Sequence, residues 1–191
     1  MKLVVGLGNP GERYAETRHN VGCMVAVRMA ARAGLAIKRQ GYLGLYGVGR
    51  LAGEEAAVLL PQTFMNRSGA SVAPACQSLG VPPGDLIVIH DEIDLPFGAL
   101  RIKAGGGHGG HNGLRSIIDA LGHGDFVRVR FGVGRPTAGG DVSGYVLSRF
   151  AAGERQTLAE LLEQAVAAVE AILARGSAAA MNEFNGRDSA A

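Results

Sequence analysis

The strongest constraint on the fold of this chain is the alternation of short apolar segments with longer amphipathic ones. Runs rich in Val, Ile and Leu predict strands, and segments with an apolar residue every three or four positions predict helices. Strands that alternate with helices are typical of an α/β domain whose mostly parallel sheet is covered by helices on both faces. We therefore predict one domain over residues 1–191, with a mixed, mostly parallel twisted sheet and a C-terminal tail from about residue 178.

The individual elements follow from the same periodicity. Asn66 is predicted to cap a helix, and Pro74 should bend that helix or delay its start. Residues 52–55 are predicted to connect two strands of a hairpin. Strands are predicted over residues 2–5, 43–51, 56–60, 86–90, 99–103 and 127–133, and helices over 20–33, 66–79, 112–121 and 154–174.

Composition excludes several classes of protein. Apolar residues make up 47% of the chain and charged residues 19%, which excludes a disordered chain. No apolar run approaches the ~18 residues of a membrane span, and the first residues lack the basic leader and cleavage site of a secretory signal. Because Cys23 and Cys76 are the only cysteines, a disulfide scaffold is excluded and a reduced, cytoplasmic setting is predicted.

The net charge of +2 is unevenly distributed along the chain. Residues 17–140 carry 13 lysines and arginines against 8 acidic residues, whereas residues 141–191 carry 4 against 7. A basic region of this kind favours a surface that meets phosphates, although an ordinary solvated surface has the same composition.

The segment GLGNPG at residues 6–11 matches the glycine pattern of dinucleotide-binding folds. That pattern requires a helix that begins at once and an acidic residue about 20 positions later. Here Pro10 lies inside the turn, and no acidic residue occurs between Thr17 and Gly53. A dinucleotide site is therefore the weaker interpretation, and a tight loop that presents Asn9 at the carboxyl end of a strand is the stronger one.

A histidine and a carboxylate are predicted to meet at that edge of the sheet. Asp91 ends the apolar run 86–90, and His19 comes directly before a predicted helix. Because parallel strands deliver their carboxyl ends to one edge, Asp91 is expected beside Asn9 and the His19 loop. A carboxylate bonded to a histidine fixes its tautomer and makes it a better base.

The segment 105–113 contains six glycines in nine residues and leads into a predicted helix. Its backbone amides and the helix start are expected to face an anion, with Lys103, Arg128 and Arg130 as nearby cations. A metal site is disfavoured, because the spacings around His108 and His90 match no rigid ligand set. No serine stands in a nucleophile-elbow motif, and the cysteines lie in apolar helical contexts.

Taken together, these motifs resemble those of bacterial peptidyl-tRNA hydrolases over nearly the whole chain. The resemblance rests on GLGNPG at 6–11, Tyr14, TRHN at 17–20, FMN at 64–66, HDEIDLP at 90–96 and the glycine-rich segment 105–113. It implies a cytoplasmic, metal-independent monomer without cofactors. The implied reaction is hydrolysis of the ester that joins a peptide to the 3′-terminal ribose of tRNA, which recycles tRNA from aborted translation.

The resemblance also implies a role for each matching residue. His19 would activate water, Asp91 would hold His19 in its basic form, and Asn9 would sense the acylated amine of the substrate. Lys103 and Arg130 match positions that bind the 5′-phosphate of the acceptor stem. The residues implied to line the site around the 3′-CCA end are Tyr14, Phe64, Asn66 and Asn112, with Met65 and His111 beside them.

Two questions stay open at the level of sequence. The donor to the oxyanion is either an asparagine side chain or an amide of the glycine-rich segment. A plant organellar relative of the same fold resembles a splicing factor that binds a partner protein and has lost hydrolysis. The presence of His19, Asp91 and Asn9 together favours catalysis.

Overall fold

Seven strands form one mixed sheet in the computed structural model, which describes residues 1–186. The strands are β1 (Lys2–Gly6), β2 (Arg39–Gly41), β3 (Gly44–Leu51), β4 (Glu54–Pro61), β5 (Leu86–Glu92), β6 (Leu100–Ala104) and β7 (Val127–Gly132). Their order across the sheet is β2-β3-β4-β1-β5-β7-β6. The four central strands β4, β1, β5 and β7 are parallel, and β2, β3 and β6 add antiparallel pairs at the edges.

Helices cover both faces of this sheet, which confirms the predicted fold class. They are α1 (Val21–Arg32), α2 (Gly69–Leu79), α3 (Asn112–Leu121), α4 (Val142–Val146), α5 (Ala152–Arg175) and α6 (Ser177–Phe184). Side chains alternate between the two faces along each strand. Val4 therefore packs with α1, α5 and α6, whereas Leu3 and Val5 pack with α2 and α3. None of the helices within residues 1–186 is long and apolar enough to cross a membrane.

The tail predicted from about residue 178 is a helix as far as Phe184. Ala180 and Phe184 are buried against the core, and α6 packs on β6. The Asn185 side chain then accepts from the Ile102 amide at 2.7 Å and donates to the Ile102 carbonyl at 2.9 Å. The short apolar pattern of α6 becomes helical because β6 offers it a surface; residues 187–191 of the predicted tail lie outside the described residues.

The predicted start of the second helix is also wrong. Asn66 lies inside a short 3-10 helix, Met65–Arg67, and does not cap α2, which begins at Gly69 and contains Pro74. The Gly69 amide donates to Ser116 Oγ at 2.8 Å, and a Cβ at Gly69 would lie 2.1 Å from the Ser116 carbonyl. Packing on α3, rather than a local cap, therefore decides where α2 begins.

The hairpin between β3 and β4 is tighter than predicted. Leu51 pairs with Glu54, so only Ala52 and Gly53 form the turn, and both have positive φ. Two-residue turns of this kind match the twist of the flanking strands. The edge strand β2 and the short helix α4 have no counterpart among the predicted elements.

Candidate active site

A cavity of about 650 Å³ opens at the carboxyl edge of the parallel strands. Asn9 follows β1, Asn66 follows β4, and Asp91 lies at the end of β5. These strands are neighbours in the sheet, so their carboxyl ends converge on one place. The glycine-rich segment brings His111 to the same place, because it carries the chain from the far end of β6 back to this edge. The sequence-based expectation of one shared edge agrees with this geometry.

Asp91 is the centre of the cavity floor and bonds to two histidines. Its Oδ2 lies 2.8 Å from His19 Nδ1, and its Oδ1 lies 2.8 Å from His111 Nε2. The Asp91 side chain is 2% exposed. Burial raises the pKa of this carboxyl, but His111 and His19 lower it by more, so its pKa lies well below the usual range. Asp91 is therefore an anion that holds both rings.

The ring of His19 has one nitrogen free for chemistry. A carboxylate only accepts hydrogen bonds, so His19 Nδ1 carries the proton that is shared with Asp91. His19 Nε2 is then the nitrogen with a lone pair, on a side chain that lines the cavity and is 11% exposed. This arrangement fixes the orientation of the imidazole that faces a bound ligand.

Asn9 is held by a residue to which sequence reasoning assigned no role. Asn20 Oδ1 accepts from the Asn9 amide and Asn20 Nδ2 donates to the Asn9 carbonyl, both at 2.9 Å. Asn9 Oδ1 accepts from the Met65 amide at 2.7 Å, which leaves its NH₂ group for a ligand. A Cβ at Gly8 would lie 2.8 Å from Asn20 Cγ. The Gly-x-Gly pattern therefore makes room for Asn20. The position of Asn20 directly after His19 was the feature of the sequence from which its role could have been predicted.

His111 lines the main cavity as expected, and it also makes hydrogen bonds that the sequence did not predict. Its Nδ1 accepts from the amides of Gly113 at 3.1 Å and Leu114 at 3.3 Å, and so it caps α3. An accepting Nδ1 leaves the proton on Nε2, which donates to Asp91. Two of the amides at this helix start, those of Gly113 and Leu114, are therefore occupied by His111 and not open to the predicted anion.

Arg128 is likewise not available to a phosphate. It is 2% exposed, and its guanidinium donates to the carbonyls of Gly106, Gly107 and Gly124. The glycine-rich segment thus turns carbonyls, rather than amides, towards this arginine. The prediction that Arg128 presents its charge to a ligand is wrong, because that charge holds the segment in place.

Lys103 and Arg130 lie together at a second cavity of about 150 Å³. Lys103 is exposed, and Arg130 Nε donates to Glu92 Oε1 at 3.0 Å. That contact uses one edge of the guanidinium and leaves the two terminal nitrogens of Arg130 for a ligand. The second cavity also contains His90 and Asp94.

Other residues complete the main cavity. Tyr14, Phe64 and Asn112 line it as expected, and Phe64 is 59% exposed. Met65 is buried at 4% and contributes its amide to Asn9 rather than a side chain to the lining. Sequence reasoning missed the apolar wall on the opposite side, because it comes from α4 and the residue after it. That wall is formed by Val142, Val146 and Leu147.

Three of these side chains could in principle hold a cation. His19, Asp91 and His111 each offer a ligand atom, and these atoms lie within 4.8 Å of one another. A transition metal needs ligand distances of ~2.0–2.2 Å. It would have to displace both hydrogen bonds of Asp91, so the arrangement fits a hydrogen-bonded carboxylate better than a metal ligand.

Comparison with known proteins identifies the family. Residues 3–191 match the family described as peptidyl-tRNA hydrolase. The peptidyl-tRNA hydrolase of Syntrophotalea carbinolica is 60% identical over 187 residues, covering 98% of each chain, and that of Sorangium cellulosum is 53% identical over 189 residues, covering 98% of this chain and 85% of the relative. The crystal structure of peptidyl-tRNA hydrolase from Acinetobacter baumannii superposes with a TM-score of 0.91 at 39% identity, covering 98% of this chain and 96% of that one. The chain belongs to the peptidyl-tRNA hydrolase family.

Proposed function

We propose that this enzyme hydrolyses the ester between a peptide and the 3′-terminal ribose of tRNA with His19 as the general base. Membership of the family makes the protein an ester hydrolase with peptidyl-tRNA as its substrate. The observation that carries the assignment of the base is the 2.8 Å contact between His19 Nδ1 and Asp91 Oδ2 at the floor of the main cavity. It leaves His19 Nε2 to take a proton from water.

The electrostatics of Asp91 support this step. A buried carboxylate with a lowered pKa stays ionised, and it stabilises the imidazolium that forms when His19 takes the proton. A positioned base contributes ~10²–10⁴-fold to such a reaction. His111 holds the other oxygen of Asp91, so the carboxylate cannot rotate away from His19.

Asparagine side chains at the main cavity are suitable donors for the substrate. Three amides of the glycine-rich segment and the following helix, those of Gly110, Gly113 and Leu114, already donate to histidine nitrogens. We therefore assign the developing oxyanion to the NH₂ groups of Asn66 and Asn112, which line the same cavity. The NH₂ group of Asn9 is placed to bind the acylated amine that distinguishes peptidyl-tRNA from aminoacyl-tRNA.

The second cavity supports an assignment for the acceptor stem. Lys103 and the terminal nitrogens of Arg130 would bind the 5′-phosphate, while Tyr14 and Phe64 would contact the 3′-CCA end at the main cavity. The His19, Asp91 and Asn9 set is complete within one chain, which suits a monomeric enzyme. We place its action in the cytoplasm, where translation supplies the substrate, and assign it no cofactor.

The test is hydrolysis of N-acetyl-aminoacyl-tRNA by the pure protein, with and without a chelator. We expect release of the acyl amino acid at the same rate in both conditions. His19→Ala should bind tRNA but lose at least ~100-fold in kcat/KM, because a base contributes that much or more. His123→Ala is the matched control, since His123 lies outside the cavity lining and accepts only from the Asp125 amide. A His19→Ala variant that keeps a tenth of the activity would contradict the assignment.

A further inference from the structure

His90 is a buried histidine that the proposed mechanism does not use. It is 1% exposed, and its Nδ1 donates to the main-chain carbonyl of Asp91 at 2.8 Å. Its Nε2 is buried without a hydrogen-bond partner among residues 1–186. An unpaired buried nitrogen lowers stability, so a histidine is a costly way to fill this space. The cost suggests that the ring has a task other than packing.

The ring of His90 is part of a row of three imidazoles. Its centroid lies 4.9 Å from that of His111, edge to face at 65°, and the His111 ring lies 5.2 Å from that of His19. His111 in turn binds one carboxylate oxygen of Asp91. His90 therefore contacts Asp91 through the main chain and supports, through its ring, the histidine that holds Asp91.

His90 also lines the second cavity, together with Lys103 and Arg130. His90 Nε2 has less than 1 Å² of accessible surface, so it has no route to a ligand in that cavity. The contacts of His90 that can influence the reaction are thus the ones on the Asp91 side.

We propose that His90 is a positioning residue for ester hydrolysis, acting through the main chain of Asp91 and the ring of His111. This inference rests on the proposed function, because it assumes that Asp91 serves His19. The hydrogen bond from Nδ1 fixes the peptide group that follows the Asp91 side chain, and the ring limits the orientation of His111. Small displacements of catalytic groups lower turnover strongly even where substrate binding is intact.

Three substitutions of His90 distinguish the effect of its hydrogen bond to Asp91 from the effect of its ring. His90→Phe keeps a ring beside His111 but has no donor for the Asp91 carbonyl. His90→Asn keeps an NH donor at the distance of Nδ1, and His90→Gln moves the same amide one bond further out. Folding of each variant is checked by far-UV circular dichroism and thermal unfolding, and kcat and KM are measured on N-acetyl-aminoacyl-tRNA with and without a 5′-phosphate.

We expect His90→Phe to lower kcat roughly tenfold or more, with KM within about threefold of wild type and the same loss on both substrates. His90→Asn keeps the donor but loses the ring, so its kcat should fall less than that of His90→Phe and stay at least about threefold above that of His90→Gln. If His90→Phe fails to fold, the comparison of Asn with Gln carries the test, because the two variants differ only in where the donor lies.

Other results would overturn the proposal. The first is an unchanged kcat in His90→Phe, and the second is an equal loss of kcat in His90→Asn and His90→Gln. The third is an effect on KM alone, seen only with the 5′-phosphorylated substrate, which would assign His90 to the second cavity. His19→Ala is assayed in parallel. If that variant stays active, the proposed base is wrong; if it is inactive while all three His90 variants have normal kcat, only the role of His90 is wrong.

Discussion

Three histidines near Asp91 have the same side chain and different roles, which their hydrogen-bond partners decide. His19 donates from Nδ1 to Asp91, His111 donates from Nε2 to the same carboxylate, and His90 donates from Nδ1 to a main-chain carbonyl. Because acceptors fix the position of each proton, the neighbours determine the tautomer. Only His19 is left with an accepting nitrogen on the side of the substrate.

Burial of His90 predicts a specific acid sensitivity. Burial, followed by the electrostatic effect of the neighbouring His111 ring, lowers the pKa of His90 to about 3. An unfolded histidine has a pKa of ~6.5, so the unfolded chain binds one more proton between these values and the folded state loses stability as pH falls. The free energy of unfolding falls by at most about 1.4 kcal/mol per pH unit through this one group. The lowered pKa of Asp91 acts in the same direction, but only below the pH at which unfolded carboxyls are protonated, about 4.

The measurement is urea unfolding of wild type and His90→Phe at pH 7 and pH 5. Between pH 7 and pH 5, the free energy of unfolding should fall by roughly 2 kcal/mol more in wild type than in the variant. The reason is that about 1.5 pH units of that range lie below the pKa of an unfolded histidine. Equal losses in the two proteins would show that His90 does not titrate as proposed.

At the level of elements, the contact between α1 and the end of β5 brings His19 to Asp91. Gly22, in the first turn of α1, lies so close to β5 that a Cβ there would be 2.1 Å from the Ile89 carbonyl. Gly22 is three positions after His19, and Ile89 is two positions before Asp91. The closeness of the two backbones therefore sets the distance between base and carboxylate.

We predict that Gly22→Ala lowers the free energy of unfolding by about 1–3 kcal/mol, because an added methyl forces α1 away from β5. Turnover should fall as well, since the displacement separates His19 from Asp91. Gly153→Ala is the matched control: Gly153 lies in α5 with no atom within 4 Å of an added Cβ. Urea unfolding and initial rates measure both effects, and a Gly22→Ala variant as stable as the control would contradict the argument.

The apolar wall of the main cavity depends on Arg18. Its guanidinium lies 4.1 Å from the Tyr145 ring centroid and donates to the Arg149 carbonyl at 2.8 Å and to Glu154 Oε1 at 2.9 Å. Arg18 precedes His19 in the chain, so it ties the wall to the loop that carries the base. The planar guanidinium of Arg18 has several N–H donors and makes these contacts simultaneously, whereas the single ammonium group of a lysine cannot.

Arg18→Lys should therefore destabilise the protein by about 1–3 kcal/mol, because buried acceptors lose their donors. It should also raise KM, since α4 is less firmly held against the cavity. Arg32→Lys serves as the control, because Arg32 is half exposed in its pair with Glu163 and contributes at most about 1 kcal/mol. Matching unfolding curves for the two variants would show that Arg18 is not the anchor of the wall.

At the scale of the whole molecule, the main cavity and the second cavity lie next to each other, because Glu92 and Gly109 line both. The main cavity contains His19, the proposed base, and the second cavity contains Lys103 and Arg130. One tRNA acceptor end would span both, with its ester at His19 and its 5′-phosphate at the cations. Binding and chemistry are therefore expected to separate in mutants.

Lys103→Ala or Arg130→Ala should raise KM for peptidyl-tRNA while kcat changes little, because the contact lies away from the ester. The variants should also show a flatter dependence of binding on salt, since fewer counterions are released. On a substrate without the 5′-phosphate they should behave as wild type does. Lys38→Ala, an exposed lysine outside the second cavity, is the control; equal losses with and without the 5′-phosphate would contradict the assignment.

The fold class and the shared sheet edge could be predicted because they depend on periodicity and strand direction. Asn9 and Asp91 follow recognisable parallel strands, and His19 precedes a recognisable helix. The glycine-rich segment could not be interpreted in this way. Whether its amides or its carbonyls face inward depends on Arg128, which comes from another element.

The sequence by itself determined the longer strands and helices, which residue types gather at one edge of the sheet and which family the chain resembles, because these properties are encoded locally or in motifs. Only the tertiary structure decided that Asp91 serves two histidines, that Asn20 holds Asn9, that α4 walls the main cavity and that α6 covers β6. Each of these depends on contacts between residues distant in the chain or on the direction of a single polar atom. Packing and hydrogen-bond geometry set both, and neither leaves a periodic trace in the sequence.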